Sequence, residues 1–337
     1  MIRNILEQTD KVDAKLAVLS KSAKKHTIML TRSALSSNDS DDEKASSPED
    51  ISALLEEERK EILHLKGLKN DLLEQCRDLT PADRVVLARL SNRPHITDFI
   101  DALFTDFFEQ KGDHLYDEDP SIYGGIALFH GIPVTVLGHR KGSTVEENMA
   151  CRFGMPCPEG YRKAMRLMGQ AEKFGRPIIT FIDTPGAYPG MEAEEHGQGE
   201  AIARSLAFMS HLSVPVISVV TGEGNSGGAL ALSVCNRMLM LENAVYSVLS
   251  PEGFASILWK DSSRHEEACA LMKLTAADLY ENGIVDEVIP EPRGGAQTDP
   301  VSVYRSIEDT IARHLKPLLK MSPKEITADR HKKFRKL

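Results

Sequence analysis

The chain has 337 residues, of which 41% are hydrophobic and 27% are charged, and its formal net charge is −9 at pH 7. This length and composition are typical of a globular protein with one large domain and an appendage, or with two domains. The negative charge argues against nucleic acid as the main partner, and no run of residues approaches the roughly 18 apolar residues of a membrane span.

The N-terminus and the cysteines indicate the compartment. Residues 1–25 carry scattered charges and lack the apolar core of a secretory signal. The five cysteines are scattered, and none belongs to a CxxC pair. This pattern predicts a reducing, cytoplasmic location and disfavours a zinc site within the chain.

Residues 1–46 are predicted to be a flexible N-terminal segment and linker. Residues 1–30 show only weak helical periodicity and no turn signals. Residues 31–45 are rich in Ser, Asn, Asp and Glu and contain almost no apolar residue. Such a segment buries too little surface to offset the entropy that it loses on ordering.

Residues 47–111 are predicted to form a helical N-terminal region. Ser47 supplies a capping hydroxyl and Pro48 a proline in the first turn, and an amphipathic pattern continues to Cys76. The apolar face of this helix fits either docking on another chain or packing on the protein's own core. A second helix start follows at Thr80, and a third at Thr97 is expected to carry the phenylalanines 107 and 108.

The main domain is predicted over residues 112–322, with a basic C-terminal tail over residues 323–337. Apolar runs that predict strands alternate with helical patterns, so we expect a mixed or parallel sheet covered by helices. The strand–strand–helix order favours a spiral of ββα units over a Rossmann sheet. The predicted strands are 123–130, 132–139, 177–183, 214–220, 237–242, 244–249 and 285–289.

A glycine-rich turn over residues 222–228 joins a buried strand to a helix start. Glycines leave the backbone open to a ligand, and the first amides of a helix lack internal partners. The turn therefore suits a negative oxygen of a phosphate, a carboxylate or an enolate. It is not a Walker A loop, but Gly224 to Gly228 match G-x-S-x-G, which makes Ser226 a candidate nucleophile. Tight strand–helix packing without chemistry is the third interpretation.

A second turn, over residues 184–190, follows the preceding predicted strand. Ligands in α/β folds bind at the carboxyl ends of strands, so the two turns are expected to face one site. Amides near Gly186 and Ala187 and amides of Gly227, Gly228 and Ala229 would converge as an oxyanion hole, each donor contributing about 3–4 kcal/mol.

The side chains near these turns are expected to have modest roles. Asp183 is interpreted as an acceptor for turn amides, and His196 as a solvated histidine at a helix end rather than a general base. Lys141, Arg152 and Arg162 are interpreted as surface charges, with a second role only if the ligand is rich in phosphate.

Six motifs carry a close resemblance to a known family, the alpha subunits of the bacterial acetyl-coenzyme A carboxylase carboxyltransferase. The resemblance covers residues 112–292 strongly and the preceding helical region more loosely. The motifs are Tyr-Gly-Gly-Ile-Ala at 123–127, Phe-Gly-Met-Pro at 153–156, Pro-Glu-Gly-Tyr-Arg-Lys-Ala at 158–164, Phe-Ile-Asp-Thr-Pro-Gly-Ala-Tyr-Pro-Gly at 181–190, Gly-Glu-Gly-Asn-Ser-Gly-Gly-Ala-Leu-Ala at 222–231 and Tyr-Ser-Val-Leu-Ser-Pro-Glu-Gly at 246–253.

The resemblance implies a crotonase-like fold and transfer of carboxylate from carboxybiotin on a biotin carrier protein to acetyl-CoA. It implies an α2β2 assembly with a beta subunit that carries the zinc, and association with a biotin carboxylase. The alpha chain would bind the biotin end and no cofactor of its own. The implied backbone donors are Gly186, Ala187, Gly227, Gly228 and Ala229, and the implied substrate contacts are Phe153, Tyr188, Ser226, Glu252 and Gly253.

The sequence departs from the family pattern at five positions. Asn225 replaces a usual glycine, Phe254 a smaller residue, and Ser143, Glu146 and Cys151 stand where basic residues are expected. Two other functions therefore stay open. One is a serine hydrolase that uses Ser226, with Glu252 as the acid and His265 or His314 as the base; the other is a scaffold that has lost activity.

Overall fold

The structure is a computed structural model that describes residues 2–35 and 47–336. The chain divides into two compact units, one that ends at Leu79 and one that begins at Thr80. This boundary differs from the predicted one at 111/112, because residues 80–111 pack in the second unit. Residues 36–46 of the predicted linker lie outside the described residues.

The first unit is a helical hairpin of α1 (Ile2–Leu35) and α2 (Pro48–Glu74). The ion pair of Lys69 with Asp13, at 2.7 Å, and the contact of His26 with Glu58, at 3.0 Å, fix the two helices as antiparallel. The prediction of a flexible segment is therefore wrong for residues 2–35. Its apolar residues were too sparse to signal a helix without α2, which covers them.

The second unit begins with two helices and three strands. The predicted starts at Ser47 and Thr80 are confirmed, since both residues form capping boxes. The third predicted helix is shorter than expected, because residues 105–109 form a strand that includes both phenylalanines. The elements are α3 (Pro81–Ala88), α4 (Ile96–Leu103), β1 (Thr105–Glu109), β2 (Ile122–Phe129), β3 (Ile132–His139), α5 (Val145–Ala150), α6 (Pro158–Lys173), β4 (Ile178–Thr184), α7 (Met191–Glu195), α8 (Gln198–His211), β5 (Val216–Asn225), α9 (Ser226–Leu230), β6 (Arg237–Leu241), β7 (Val245–Ser247), α10 (Pro251–Trp259), α11 (His265–Met272), α12 (Ala276–Glu281), β8 (Glu287–Ile289), α13 (Pro300–Leu318) and α14 (Pro323–Phe334).

The strands form one mixed sheet in the order β1-β2-β3-β4-β5-β6-β8, and β7 pairs with the end of β5. The pairs β1–β2 and β2–β3 are antiparallel, whereas β3, β4, β5, β6 and β8 run parallel. Every residue of β4 and β5 is buried, as expected for parallel strands covered on both faces. The predicted mixed sheet is confirmed.

The C-terminal segment is a helix rather than a tail. In α14, Ile326 and Arg330 are buried. The Arg330 guanidinium donates to the carbonyls of Met209, at 3.1 Å, and Val214, at 2.9 Å. The basic composition concealed this helix, because one fully buried arginine replaces the apolar residues that would have indicated it.

No helix in residues 2–35 or 47–336 combines the length and apolar character that crossing a membrane requires.

The parallel centre of the sheet places the ends of β4 and β5 side by side, with Thr184 opposite Gly224. The first glycine turn follows the end of β4, and the second overlaps the end of β5, which includes residues 222–225. The topology therefore brings the two turns together, as predicted.

Candidate active site

The two turns are in direct contact at Gly228. A Cβ atom at this position would lie 2.5 Å from the Ala187 nitrogen and 2.6 Å from the Gly186 carbonyl carbon. Real Cβ atoms do not approach backbone this closely, so only glycine fits without a shift of one turn. The close contact sets the spacing between the amides of the two turns.

The amides of the site differ in availability. The Gly186 N–H donates to Thr184 Oγ1 at 3.0 Å, and the Tyr188 N–H donates to the Pro156 carbonyl at 3.0 Å. Gly186 is therefore not a free donor, which corrects the expectation from the sequence; its φ of 139° instead shapes the turn. Among residues 47–336, no acceptor bonds the Ala187 amide. The amides of Gly227, Gly228 and Ala229 lie in the first turn of α9, where helix amides lack partners inside the helix.

Ser226 has the backbone of a nucleophile elbow but not its partners. Its φ is 57°, and its side chain is exposed. In the described ranges, no histidine or acid bonds its hydroxyl. Glu252 pairs with Arg89, and His314 pairs with Glu287 at 2.9 Å. The hydrolase interpretation is not supported.

A cavity of about 570 Å³ opens beside the turn that carries Ser226 and Gly227. Its wall is mostly apolar, and its one charged residue, Lys273, pairs with Asp278 at 3.4 Å. Its lining residues are Ser226, Gly227, Leu230, Tyr246, Ser247, Val248, Leu249, Phe254, Met272, Lys273, Leu279, Asn282 and Ile284. Such a cavity suits a compact, uncharged ring system better than a phosphate-rich group.

Lys141 links the strand ends that lead into the two turns. Its Nζ lies 2.8 Å from Asp183 Oδ1, at the end of β4, and 3.1 Å from Glu223 Oε1, in β5. Burial alone would lower the pKa of Lys141, but the two carboxylates outweigh burial and raise it. Burial alone would raise the pKa of Asp183, but Lys141 and His95 hold it well below its usual range. The prediction that Lys141 is a surface charge is therefore wrong.

Arg89 extends this network of ion pairs toward the wall of the cavity. Its guanidinium lies 2.9 Å from Glu223 and 2.7 Å from Glu252, the second residue of α10. The Gly253 amide donates to Ser250 Oγ at 3.1 Å. The structure thus engages Glu252 and Gly253 elsewhere, and places Phe254 rather than these two residues on the cavity wall.

Tyr188 is part of the first turn, and Phe153 lies beside it. Arg152 and Phe153 both have left-handed backbone, with φ of 49° and 55°, which costs about 1–2 kcal/mol per residue outside glycine. The Arg152 guanidinium stands 5.5 Å above the Tyr188 ring and 3.4 Å from Asp119. Strain of this kind concentrates at functional sites, and here it holds a half-exposed Phe153 beside the end of β4.

Asp183 accepts from a turn amide, as predicted, whereas His196 is paired with an acid rather than solvated. His196 Nδ1 lies 3.0 Å from Glu159 Oε1, and the guanidinium of Arg162 lies 3.3 Å from the same oxygen. Asp183 Oδ1 accepts from the Glu223 amide at 3.1 Å, in addition to Lys141. Residues 2–35 and 47–336 contain no cluster of three or more His, Cys, Asp or Glu side chains arranged to bind a metal.

Similarity to known proteins shows which family the chain belongs to. The sequence profile of the family described as "Acetyl co-enzyme A carboxylase carboxyltransferase-like" matches residues 42–337. The chain belongs to this family. It is 55% identical over 273 residues to the acetyl-coenzyme A carboxylase carboxyl transferase subunit alpha of Anoxybacillus flavithermus, a match that covers 81% of this chain and 83% of that one. It is 54% identical over 271 residues to the same subunit of Bacillus subtilis, covering 80% and 82%.

Solved structures confirm the fold. Transcarboxylase 12S matches with a TM-score of 0.51 and 20% identity, over 70% of this chain and 44% of that chain. The beta subunit of geranyl-CoA carboxylase from P. aeruginosa matches with a TM-score of 0.52 and 15% identity, over 75% and 45%. The predicted crotonase-like fold is therefore confirmed.

Two of the positions expected to depart from the family pattern make specific contacts in the structure. Asn225 donates to Glu223 Oε2 at 3.2 Å and accepts from Ser247 Oγ at 2.9 Å, so it is bonded to the network of ion pairs. Phe254 lines the cavity and packs edge-on against Trp259, with ring centroids 5.9 Å apart.

The three departures at expected basic positions lie around α5. Ser143 and Glu146 lie at its start, where the Ser143 amide donates to Glu147 at 2.8 Å. Cys151 is buried and its Sγ lies 3.1 Å from the Glu147 carbonyl. No positive charge is available from any of the three.

Proposed function

We propose that the chain is the alpha subunit of an acetyl-CoA carboxylase carboxyltransferase, which transfers a carboxyl group from carboxybiotin to acetyl-CoA and forms malonyl-CoA. The observation that carries this proposal is the contact of the two glycine turns, which groups free backbone amides at the edge of an apolar cavity. The family to which the chain belongs supplies the reaction. Malonyl-CoA formation is the first committed step of fatty acid synthesis.

The cavity is proposed to bind the biotin end of the carrier protein. The bicyclic ring of biotin is compact and uncharged, in keeping with the mostly apolar lining. The amides of Ala187, Gly227, Gly228 and Ala229 would donate to the ureido oxygen. We propose Tyr188 and Phe153 as contacts on the opposite side, whereas Glu252 and Gly253 would act only by holding α10.

The reaction needs no side-chain base from this chain. Cleavage of the N–carboxyl bond releases carbon dioxide and leaves the electron pair on the ureido group, whose oxygen the amides stabilise. The ureido nitrogen then removes a proton from the acetyl methyl group. The resulting enolate attacks carbon dioxide and forms the new carbon–carbon bond. Backbone amides suit this role because they are fixed and do not titrate.

A second oxyanion, on the thioester, needs a second hole. The one pair of turns described in this chain would form a single hole, so we propose that a beta subunit supplies the other and binds the acetyl-CoA. The biotin carboxyl carrier protein, the biotin carboxylase, a zinc site in the beta subunit and a cytoplasmic location are parts of the same proposal.

The test is co-expression with a beta subunit, followed by an assay of malonyl-CoA formation from carboxybiotin and acetyl-CoA. A Ser226→Ala variant is expected to lose less than about tenfold in turnover, because the proposed donors are amides rather than the hydroxyl. A fluorophosphonate probe is expected to leave Ser226 unlabelled. Stoichiometric labelling, together with a loss of several orders of magnitude in the variant, would support the hydrolase instead. An inactive but intact complex would support the scaffold.

A further inference from the structure

We propose that His139 is a positioning residue that fixes the Gly228–Ala229 peptide of the amide pocket. It would do so by donating a hydrogen bond from Nε2 to the Gly228 carbonyl oxygen. The catalytic consequence rests on the proposed function, whereas the hydrogen bond itself does not. His139 does not belong to the predicted site, because it lies 89 residues from Gly228 in the sequence.

The geometry puts His139 directly behind the point where the two turns meet. It is the last residue of β3, its side chain is 1% exposed, and its Nε2 lies 3.3 Å from the Gly228 oxygen. On its other side, Gly228 lies against Ala187 with no space for a Cβ atom. Gly228 is thus held between the imidazole and the first turn.

The chemistry of the pair fixes the tautomer of His139. A carbonyl oxygen only accepts, so Nε2 must carry the proton. Burial lowers the pKa of His139 to about 4, opposed by Asp183 and reinforced by Lys141, and the ring is therefore neutral at pH 7. A neutral ring with a proton on Nε2 has none on Nδ1, and Nδ1 has no hydrogen-bond partner among the residues that the structure describes. The closest hydrogen bond of this buried ring is the one to the Gly228 carbonyl at 3.3 Å, and the Phe181 carbonyl is a second, weaker acceptor beside the ring.

A planar peptide transmits this bond to the amide pocket. The carbonyl of Gly228 and the N–H of Ala229 belong to one peptide unit and point in opposite directions. When His139 fixes the carbonyl, the Ala229 N–H is fixed as well. This matters most at a pair of glycines, because Gly227 and Gly228 would otherwise reach many backbone conformations at little cost. A hydrogen bond on the carbonyl also polarises the peptide and strengthens its N–H as a donor.

Two substitutions separate this role from simple packing. In His139→Gln, the side-chain amide nitrogen takes the place of Nε2 and retains a donor. In His139→Phe, the ring shape is retained and the donor is lost. In a complex with a beta subunit, we expect kcat to fall by about tenfold to a hundredfold in His139→Phe, with KM for acetyl-CoA unchanged. His139→Gln should rescue kcat to within a few fold of the unmodified complex.

Equal kcat values for the two variants would overturn the inference, since packing alone would then explain the histidine. So would a loss that appears in KM rather than in kcat. These outcomes differ from a failure of the proposed function, in which the unmodified complex itself forms no malonyl-CoA.

A spectroscopic measurement tests the hydrogen bond whether or not the complex is active and whether or not His139→Phe folds. Long-range ¹H–¹⁵N spectra of the full chain at pH 7 should show a neutral ring with its proton on Nε2, assigned by its loss in His139→Gln. A proton on Nδ1, or a charged ring, would overturn the inference.

Discussion

Gly228 is the residue on which the geometry of the site depends most directly. A Cβ atom there would lie 2.5 Å from the Ala187 nitrogen, so Gly228→Ala must push the two turns apart. Displacing the donors should cost at least about a hundredfold in turnover, as loss of an oxyanion donor does elsewhere. The assay is malonyl-CoA formation by the complex with a beta subunit.

The matched control is Gly199→Ala, in the exposed part of α8. A Cβ atom there meets nothing within 4 Å. Turnover of this variant should stay within about twofold, since an alanine in a helix is also the better helix former. Equal turnover in the two variants would show that the spacing of the turns does not matter.

His139 also makes a prediction about stability and pH. Its pKa is about 4 in the folded chain, compared with 6.5 for an unperturbed histidine. The unfolded chain therefore binds the proton first as the pH falls. The stability that the neutral ring provides is complete above pH 6.5 and is lost toward pH 4, at up to about 1.4 kcal/mol per pH unit.

The measurement compares urea unfolding of the full chain with that of His139→Gln between pH 7 and pH 4.5. Trp259, the single tryptophan, lies in α10 of the second unit and reports unfolding of that unit. The difference in stability between the two proteins should shift in favour of His139→Gln as the pH falls. A difference that does not depend on pH would contradict the lowered pKa.

At the residue scale, the sequence predicts the backbone of the site better than its side chains. The glycines of both turns are recognisable in the sequence because each closely spaced group comes directly after a predicted buried strand. Lys141, His139 and Arg89 are not, because each reaches its partner across the fold: Arg89 contacts Glu223, 134 positions later. The sequence offered one sign of His139 and Lys141 as site residues, namely their position at the end of a mostly apolar predicted strand.

Among the elements, the ends of β3, β4 and β5 form one charged unit. Lys141 follows β3 and pairs with both Asp183 and Glu223, and all three side chains are less than 15% exposed. Lys141→Met would leave the buried carboxylate of Asp183 without its lysine and Glu223 with Arg89 alone. Removing one partner from such a buried group costs about 3–5 kcal/mol.

The fluorescence of Trp259 during urea unfolding measures this loss. The control is Lys320→Met, at an exposed position after α13, where we expect a change of less than about 0.5 kcal/mol. If Lys141→Met were as stable as the control, the network of ion pairs would have no role in holding the strand ends.

The errors in predicting elements share one physical cause. The pattern of α1 was weak and its apolar residues pack against α2, and α14 is anchored by a buried arginine instead of an apolar stripe. Residues 107 and 108 follow a helix directly and resemble its continuation, yet β1 pairs with β2 and is a strand. In each case a tertiary contact outweighed a local pattern.

For the molecule as a whole, the amides of the two turns would form half of the proposed catalytic centre. Carboxyl transfer generates one oxyanion on the ureido group and one on the thioester, and both must be stabilised where carbon dioxide cannot escape. The described residues provide one pair of touching turns and one adjoining cavity of about 570 Å³. We therefore propose that another chain stabilises the second oxyanion, and we expect activity to depend on it.

Titration with a beta subunit tests this account most directly. The initial rate of malonyl-CoA formation from carboxybiotin and acetyl-CoA is measured at a fixed concentration of this chain. We predict a negligible rate for the chain alone and a rate that rises with added beta subunit and saturates at one beta subunit per alpha chain. A substantial rate from this chain alone, unchanged by the beta subunit, would contradict the account.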